Sequence, residues 1–241
     1  MHSSSTTTSS ASRASRLTVV ALCERIAEGD DMARRLATLE HVNLHVLVCR
    51  NRRRPLRFLL AAAYDCARRP RVLGPLVRGR WGFSTGSLDG PRAAAFLARL
   101  EPDVGLHASA VIYRKPVIEA FRLGILNPHI GMLPEYRGRS VMEWSLLHGD
   151  PAGITTFFID EGIDTGRRIV LREPVSLSGR RSVSAAKHYL FGLNVEMFER
   201  ALRALGDPDF VPATQDTGEG RRWYVMSRLF TGVVDRILSE G

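Results

Sequence analysis

No run of 18 apolar residues interrupts the 241-residue sequence, so nothing in it has the length and character of a membrane-spanning helix. Cysteine is scarce. Cys23, Cys49 and Cys66 are the only three, an odd count without metal-type spacing, which excludes a disulfide framework and makes a reducing cytoplasm the expected compartment. None of them stands beside a histidine or a glycine-rich turn, so each is expected to act as a small buried hydrophobe. Neither the His/Cys spacing nor the acidic residues offer a closed ligand set, and no metal is expected. Lysine is almost absent: Lys115 and Lys187 are the only two, and the formal charge of +9 rests on arginine. Aromatic residues make up 7% and hardly interleave with the arginine clusters, so those clusters are expected to be solvated faces rather than a base-stacking groove.

What is present suits a globular enzyme. Hydrophobic residues at 44% and charged residues at 24% exclude a fibrous or wholly disordered chain, and the length suffices for one large α/β domain with a buried core. A pI near 10.3 favours encounter with phosphates, in RNA or in a nucleotide-linked substrate. Residues 1–15 are rich in Ser and Thr, bury little, and are expected to form a disordered tail.

From there the pattern alternates. Apolar runs at residues 17–22 and 43–49 predict buried strands on either side of a helix at 32–39, a βαβ unit. Residues 50–90 read as a basic insertion bracketing one helix over 56–67. Helices are then expected at 91–100, 116–122, 140–148 and 228–238, and strands at 103–109, 124–127, 153–160 and 168–175. Residues 182–205 carry one long apolar stripe and predict a single helix. The fold class is therefore α/β: a Rossmann-like, doubly wound, mainly parallel sheet with ligands beyond the carboxyl ends of the strands. The domain is expected to cover residues 16–205, with residues 206–241 as a tail packing on it.

Three short motifs carry the chemistry: Asn127-Pro-His-Ile-Gly-Met-Leu-Pro134, Tyr136-Arg-Gly138 and Gly162-Ile-Asp-Thr-Gly166. Asn127 and His129, two apart at a strand end, point to the same side. Taken singly, each residue has an ordinary structural use: a core histidine, a turn aspartate, a capping asparagine.

Taken in order, the motifs resemble the folate-dependent formyltransferases that act on methionyl-tRNA, glycinamide ribonucleotide or nucleotide-linked amino sugars. The resemblance implies Asn127, His129 and Asp164 as the catalytic trio and 10-formyltetrahydrofolate as co-substrate, without a metal. It implies Ala108, Ala110, Ile112, Met132, Leu133, Pro134 and Asp160 as the folate-binding set. The chemistry fits these residue types: attack of a neutral amine on the formyl carbon needs donors for a developing oxyanion, here Asn127 and protonated His129, and an acceptor for the amine proton, here Asp164.

The sequence departs from the relatives in two places. After the first strand it reads Cys23-Glu-Arg-Ile-Ala-Glu-Gly-Asp30, acidic where glycinamide-directed members cradle a phosphate. After residue 205 it has a short tail where the tRNA-directed members carry a further β-rich domain. The expected acceptor is accordingly a small-molecule amine, best a nucleotide-linked amino sugar, with Arg137, Gly138 and Trp144 as substrate contacts and a homodimer as the assembly. Three other readings are a formyltetrahydrofolate hydrolase, a methionyl-tRNA formyltransferase-like protein lacking the tRNA domain, and a non-catalytic nucleic-acid binder drawing on the basic residues 50–80.

Overall fold

A computed structural model describes residues 16–49, 60–84 in part, 91–109, 111–216 and 218–240. The expected tail at 1–15, Ala110 and most of the expected 56–67 helix lie outside the described residues.

Strand β1 (Leu17–Cys23) lies at the centre of one wing of an eight-stranded sheet, with β2 (Val42–Cys49) and β3 (Trp81–Ser84) on one side and β4 (Val104–Ala108) and β5 (Gly124–His129) on the other. All five run parallel. Beyond β5 the sheet turns antiparallel through β7 (Gly153–Phe158), β8 (Arg168–Pro174) and the two-residue β9 (Ala213–Thr214). A separate two-stranded parallel sheet pairs β6 (Tyr136–Gly138) with β10 (Arg221–Trp223).

Helix α1 (Ile26–Leu36) begins earlier than its apolar spacing suggested, because the Glu28 carboxylate accepts the backbone N–H groups of Glu24 and Arg25, both at 3.2 Å, and closes the first turn. Its buried residues Met32 and Leu36 join Val19, Ala21, Val46 and Phe198 in the core on one face of the sheet. The opposite face is covered by α2 (Pro91–Leu100) and by the segment around α3 (Lys115–Ile118), which bring Phe96, Leu97, Val117 and Phe121 against Val20, Leu22 and Ile125. Both faces are thus buried, as the near-continuous apolar runs of β1 and β2 require.

The long helix expected at 182–205 is two: α5 (Val183–Gly192) and α6 (Asn194–Leu205), separated at Leu193. Ser182 caps the first, accepting the Ala185 N–H at 3.2 Å. The break lets the pair serve different cores. In α6, Phe198 and Leu202 pack on the sheet, while in α5, Val183, Ala186 and Leu190 join α4 (Val141–Leu147) and α7 (Arg228–Glu240) in a third cluster beside the carboxyl end of β5. Strand β3 and the β6–β10 pair, which the sequence reading missed, are each no longer than four residues. Among the described residues, no helix is long and apolar enough to cross a membrane.

Candidate active site

β5 ends in Asn127-Pro128-His129, and its pairing with β4 has already ended: the last residue of β4 registered against it is Leu106, opposite Leu126. The missing N–H of Pro128 therefore faces a side where no ladder bond is called for, while β7 continues to pair on the other, Asn127 with Phe157 and His129 with Thr155. Asn127 and His129 share one face. They line a cavity of about 450 Å³ with Gly138, Arg139, Ser140, Val141, Asp164, Lys187, Phe191 and Val225.

His129 is 8% exposed and fixed on both edges. Nε2 lies 2.8 Å from the Tyr136 carbonyl oxygen, so that nitrogen carries a proton and donates it. Gly131 is required beside this bond, since a Cβ there would sit 2.8 Å from both Nε2 and the same carbonyl. The other nitrogen, Nδ1, faces Asp164 Oδ1 at 3.6 Å, and the ring meets Phe157 edge-on with centroids 6.4 Å apart. The Asn127 amide, by contrast, makes no hydrogen bond to a described residue and is left to the cavity.

Asp164 is held in a left-handed conformation (φ 54°) that few residues other than glycine accept, and its Oδ2 accepts the Gly138 N–H at 2.9 Å. The turn carrying it is built by Asp160, whose Oδ1 accepts the Gly162 N–H at 3.0 Å and the Thr165 hydroxyl at 2.7 Å. Gly166 closes the turn so near Phe158 that a Cβ would fall 1.8 Å from its carbonyl oxygen. Gln215, from the C-terminal segment, donates its Nε2–H to the Gly166 carbonyl at 2.6 Å.

The remaining expected residues separate. Ala108 ends β4 partly exposed and Ile112 is 85% exposed, both accessible to a ligand. Leu133 is fully buried, with its N–H bonded to Thr155 Oγ1 and its carbonyl accepting from Arg172, so the Met132–Pro134 stretch has backbone shape rather than the Leu133 side chain to offer. Met132 lies where a Cβ on Gly153 would be. Gly138 is on the cavity wall. Arg137 is not among the described lining residues: it donates to the Gly220 carbonyl at 2.9 Å. Nor is Trp144, which donates Nε1–H to the Tyr224 carbonyl at 2.8 Å and stacks on Trp223 at 4.9 Å. Both side chains hold the C-terminal segment in place.

His107 belongs to the surroundings of the site. Its Nδ1 lies 2.7 Å from the Tyr113 hydroxyl, and the charges of Asp164 and Glu24 both act on it. Burial nevertheless dominates and pulls its pKa from the ordinary 6.5 down to about 4. The folded ring is thus neutral above about pH 4, whereas the unfolded chain takes up a proton below 6.5. The contribution is nil above pH 6.5, and stability falls as pH is lowered towards 4, by about 3 kcal/mol in all at 1.36 kcal/mol per pH unit. In urea unfolding across that window, His107→Gln is expected to lose this part of the acid sensitivity; an unchanged pH slope would refute the assignment.

Among the described residues, no group of three or more His, Cys, Asp or Glu is placed to hold a metal ion.

Comparison with known proteins points one way. The family model for formyl transferases matches residues 79–198, about half of the chain. Methionyl-tRNA formyltransferase of Chlorobium chlorochromatii is 27% identical over 144 residues, covering 59% of this chain and 46% of the relative. The chain spans less than half the length of the curated relatives it matches. Among solved structures, a 4-N formyltransferase from Francisella tularensis superposes with a TM-score of 0.61 at 13% identity, over 92% of this chain and 87% of the other. The formyltransferase PseJ from Anoxybacillus kamchatkensis, in complex with UDP-4,6-dideoxy-4-formamido-L-AltNAc and tetrahydrofolate, gives 0.53 at 15% identity, over 93% of this chain and all (100%) of that one. At these identities the structural likeness is one of fold.

Proposed function

The chain belongs to the folate-dependent formyltransferase family, and on that premise we propose that it moves a formyl group from 10-formyltetrahydrofolate to a primary amine, on a nucleotide-linked amino sugar or a comparable small molecule. The observation that carries this reading is the single cavity on which Asn127, His129 and Asp164 converge.

In the proposed reaction the amine nitrogen bonds to the formyl carbon and the carbonyl oxygen takes up negative charge. The intermediate then breaks its bond to N10; the amine nitrogen gives up one proton, N10 gains one, and tetrahydrofolate leaves. The unpaired Asn127 amide is the donor for the oxygen. Because Nε2–H of His129 is committed to Tyr136, the proton that His129 can give or take is the one on Nδ1, on the Asp164 side. Asp164 receives the amine proton directly or through water, and its bond from Gly138 keeps the carboxylate aimed there.

Two further observations support a small acceptor. The cavity, at about 450 Å³, has the volume of a small-molecule site. The backbone donors after β1, where a ribonucleotide phosphate would sit by the resemblance, are occupied by Glu28.

The test is a turnover assay of the purified chain with 10-formyltetrahydrofolate and a panel of amines. Tetrahydrofolate release is expected only when a suitable amine is present. Release of free formate at the same rate without any amine would replace transfer by hydrolysis.

A further inference from the structure

We infer that the acceptor carries a phosphate-type anion which docks on Arg139 and Lys187, two cations on the wall of the cavity that holds Asn127, His129 and Asp164. The word acceptor rests on the formyl-transfer reading; the anion site rests on its own observations.

Arg139 follows Gly138 directly. Its backbone is pinned by an N–H bond to the Trp223 carbonyl at 3.1 Å, yet its guanidinium makes no hydrogen bond or ion pair with a described residue. A fork of five N–H donors, anchored at its root and unused at its tip, matches the oxygens of a phosphate.

Lys187, on α5, gives one N–H to Glu143 Oε1 and makes no other bond to a described residue. The Glu143 side chain is 3% exposed, and its second oxygen has no hydrogen-bond partner among the described residues. Lys187 is thus the ion-pair partner of a buried carboxylate, and swinging away would strand that charge. The ammonium is therefore held on the cavity wall rather than sampling solvent. Phe191 and Val225, 54% and 64% exposed, give the same cavity an apolar lip on which a flat group attached to the anion can rest.

The carboxylate tail of the folate is the other source of negative charge. The residues that the resemblance assigns to the folate, including Ala108, Ile112 and Met132, are absent from the described lining of this cavity, whereas both cations belong to it. The cations lie on the side left to the other reactant.

Calorimetric titration of the full chain with pyrophosphate, without folate or amine, is expected to show one binding event that Arg139→Gln weakens about tenfold. Since Lys187→Gln alone would strand Glu143, the lysine is tested in a Glu143→Gln background, with Glu143→Gln as reference; a similar loss is expected. Equal affinity for pyrophosphate in the wild type and both variants would overturn the inference. In turnover, Arg139→Gln is expected to raise KM for a nucleoside-diphosphate-linked amino sugar and leave that for the folate donor unchanged. The reverse pattern would assign the cations to the folate tail and also overturn it. Arg139-dependent pyrophosphate binding by a chain that turns over no folate with any amine would keep the anion site and refute formyl transfer.

Discussion

Asn127→Ala is expected to lower kcat for formyl transfer by about 100- to 1000-fold, the usual effect of deleting one oxyanion donor. The expectation follows from what the side chain does not do. His129 and Asp164 are tied to backbone groups of Tyr136 and Gly138, so changing either disturbs structure as well as chemistry. The Asn127 amide holds no other described residue in place, and its strand is secured by the ladder to β7. Truncation should therefore leave the thermal unfolding midpoint close to that of the wild type and leave KM for both reactants little changed, because the lost bond forms with the oxyanion rather than with the ground-state carbonyl. Single-turnover release of tetrahydrofolate, read beside an unfolding curve, separates these quantities. A loss smaller than about fivefold would remove Asn127 from the mechanism, since a transition-state donor cannot be worth so little.

A large loss of stability near the site is expected for Gly138→Ala. Gly138 has φ +104°, and a Cβ there would lie 2.3 Å from the Trp223 carbonyl oxygen, a backbone atom that cannot turn aside. Two costs combine: the conformational strain of a side chain at this φ, about 1–3 kcal/mol, and separation of β6 from β10. The second cost reaches the chemistry, because the Gly138 N–H is the bond that holds Asp164. Gly149 supplies the control. It also has positive φ, +78°, but nothing lies within 4 Å of a Cβ built on it. Gly149→Ala is expected to cost only the strain and to keep full activity, whereas Gly138→Ala should lose about 3 kcal/mol or more in urea unfolding together with most of its turnover. Equal losses in the two variants would mean that the contact with Trp223 is not what demands glycine.

The parts of this architecture legible in the sequence are those where one physical signal dominates. β1 and β2 are buried on both faces and read as largely apolar runs, and Asn127 and His129 lie two apart on a strand and so share a face. What escaped depended on distant partners. β6 and β10 are three residues each and exist only through one another, across more than eighty positions of sequence. The stripe along residues 182–205 continues through Leu193 because both helices bury that side; nothing in its period announces a change of partner from the sheet to α4 and α7. Arg137 and Trp144 have the chemistry of ligands, and that same capacity serves the carbonyls of Gly220 and Tyr224. Arg139 and Lys187 had a faint signal: one adjoins the Tyr-Arg-Gly motif, and the other is one of two lysines in a chain that otherwise uses arginine.

The pairing of β10 with β6 makes the site depend on residues far along the chain from most of those that line it. The strands from β1 to β8 are drawn from residues up to Pro174, but the strand that Gly138 leans on, the amide of Gln215 that braces the Asp164 turn, and the carbonyls that hold Arg137 and Trp144 all come from residues 214–224. This stretch thus works as a clasp, setting the geometry of groups that stand far earlier in the sequence.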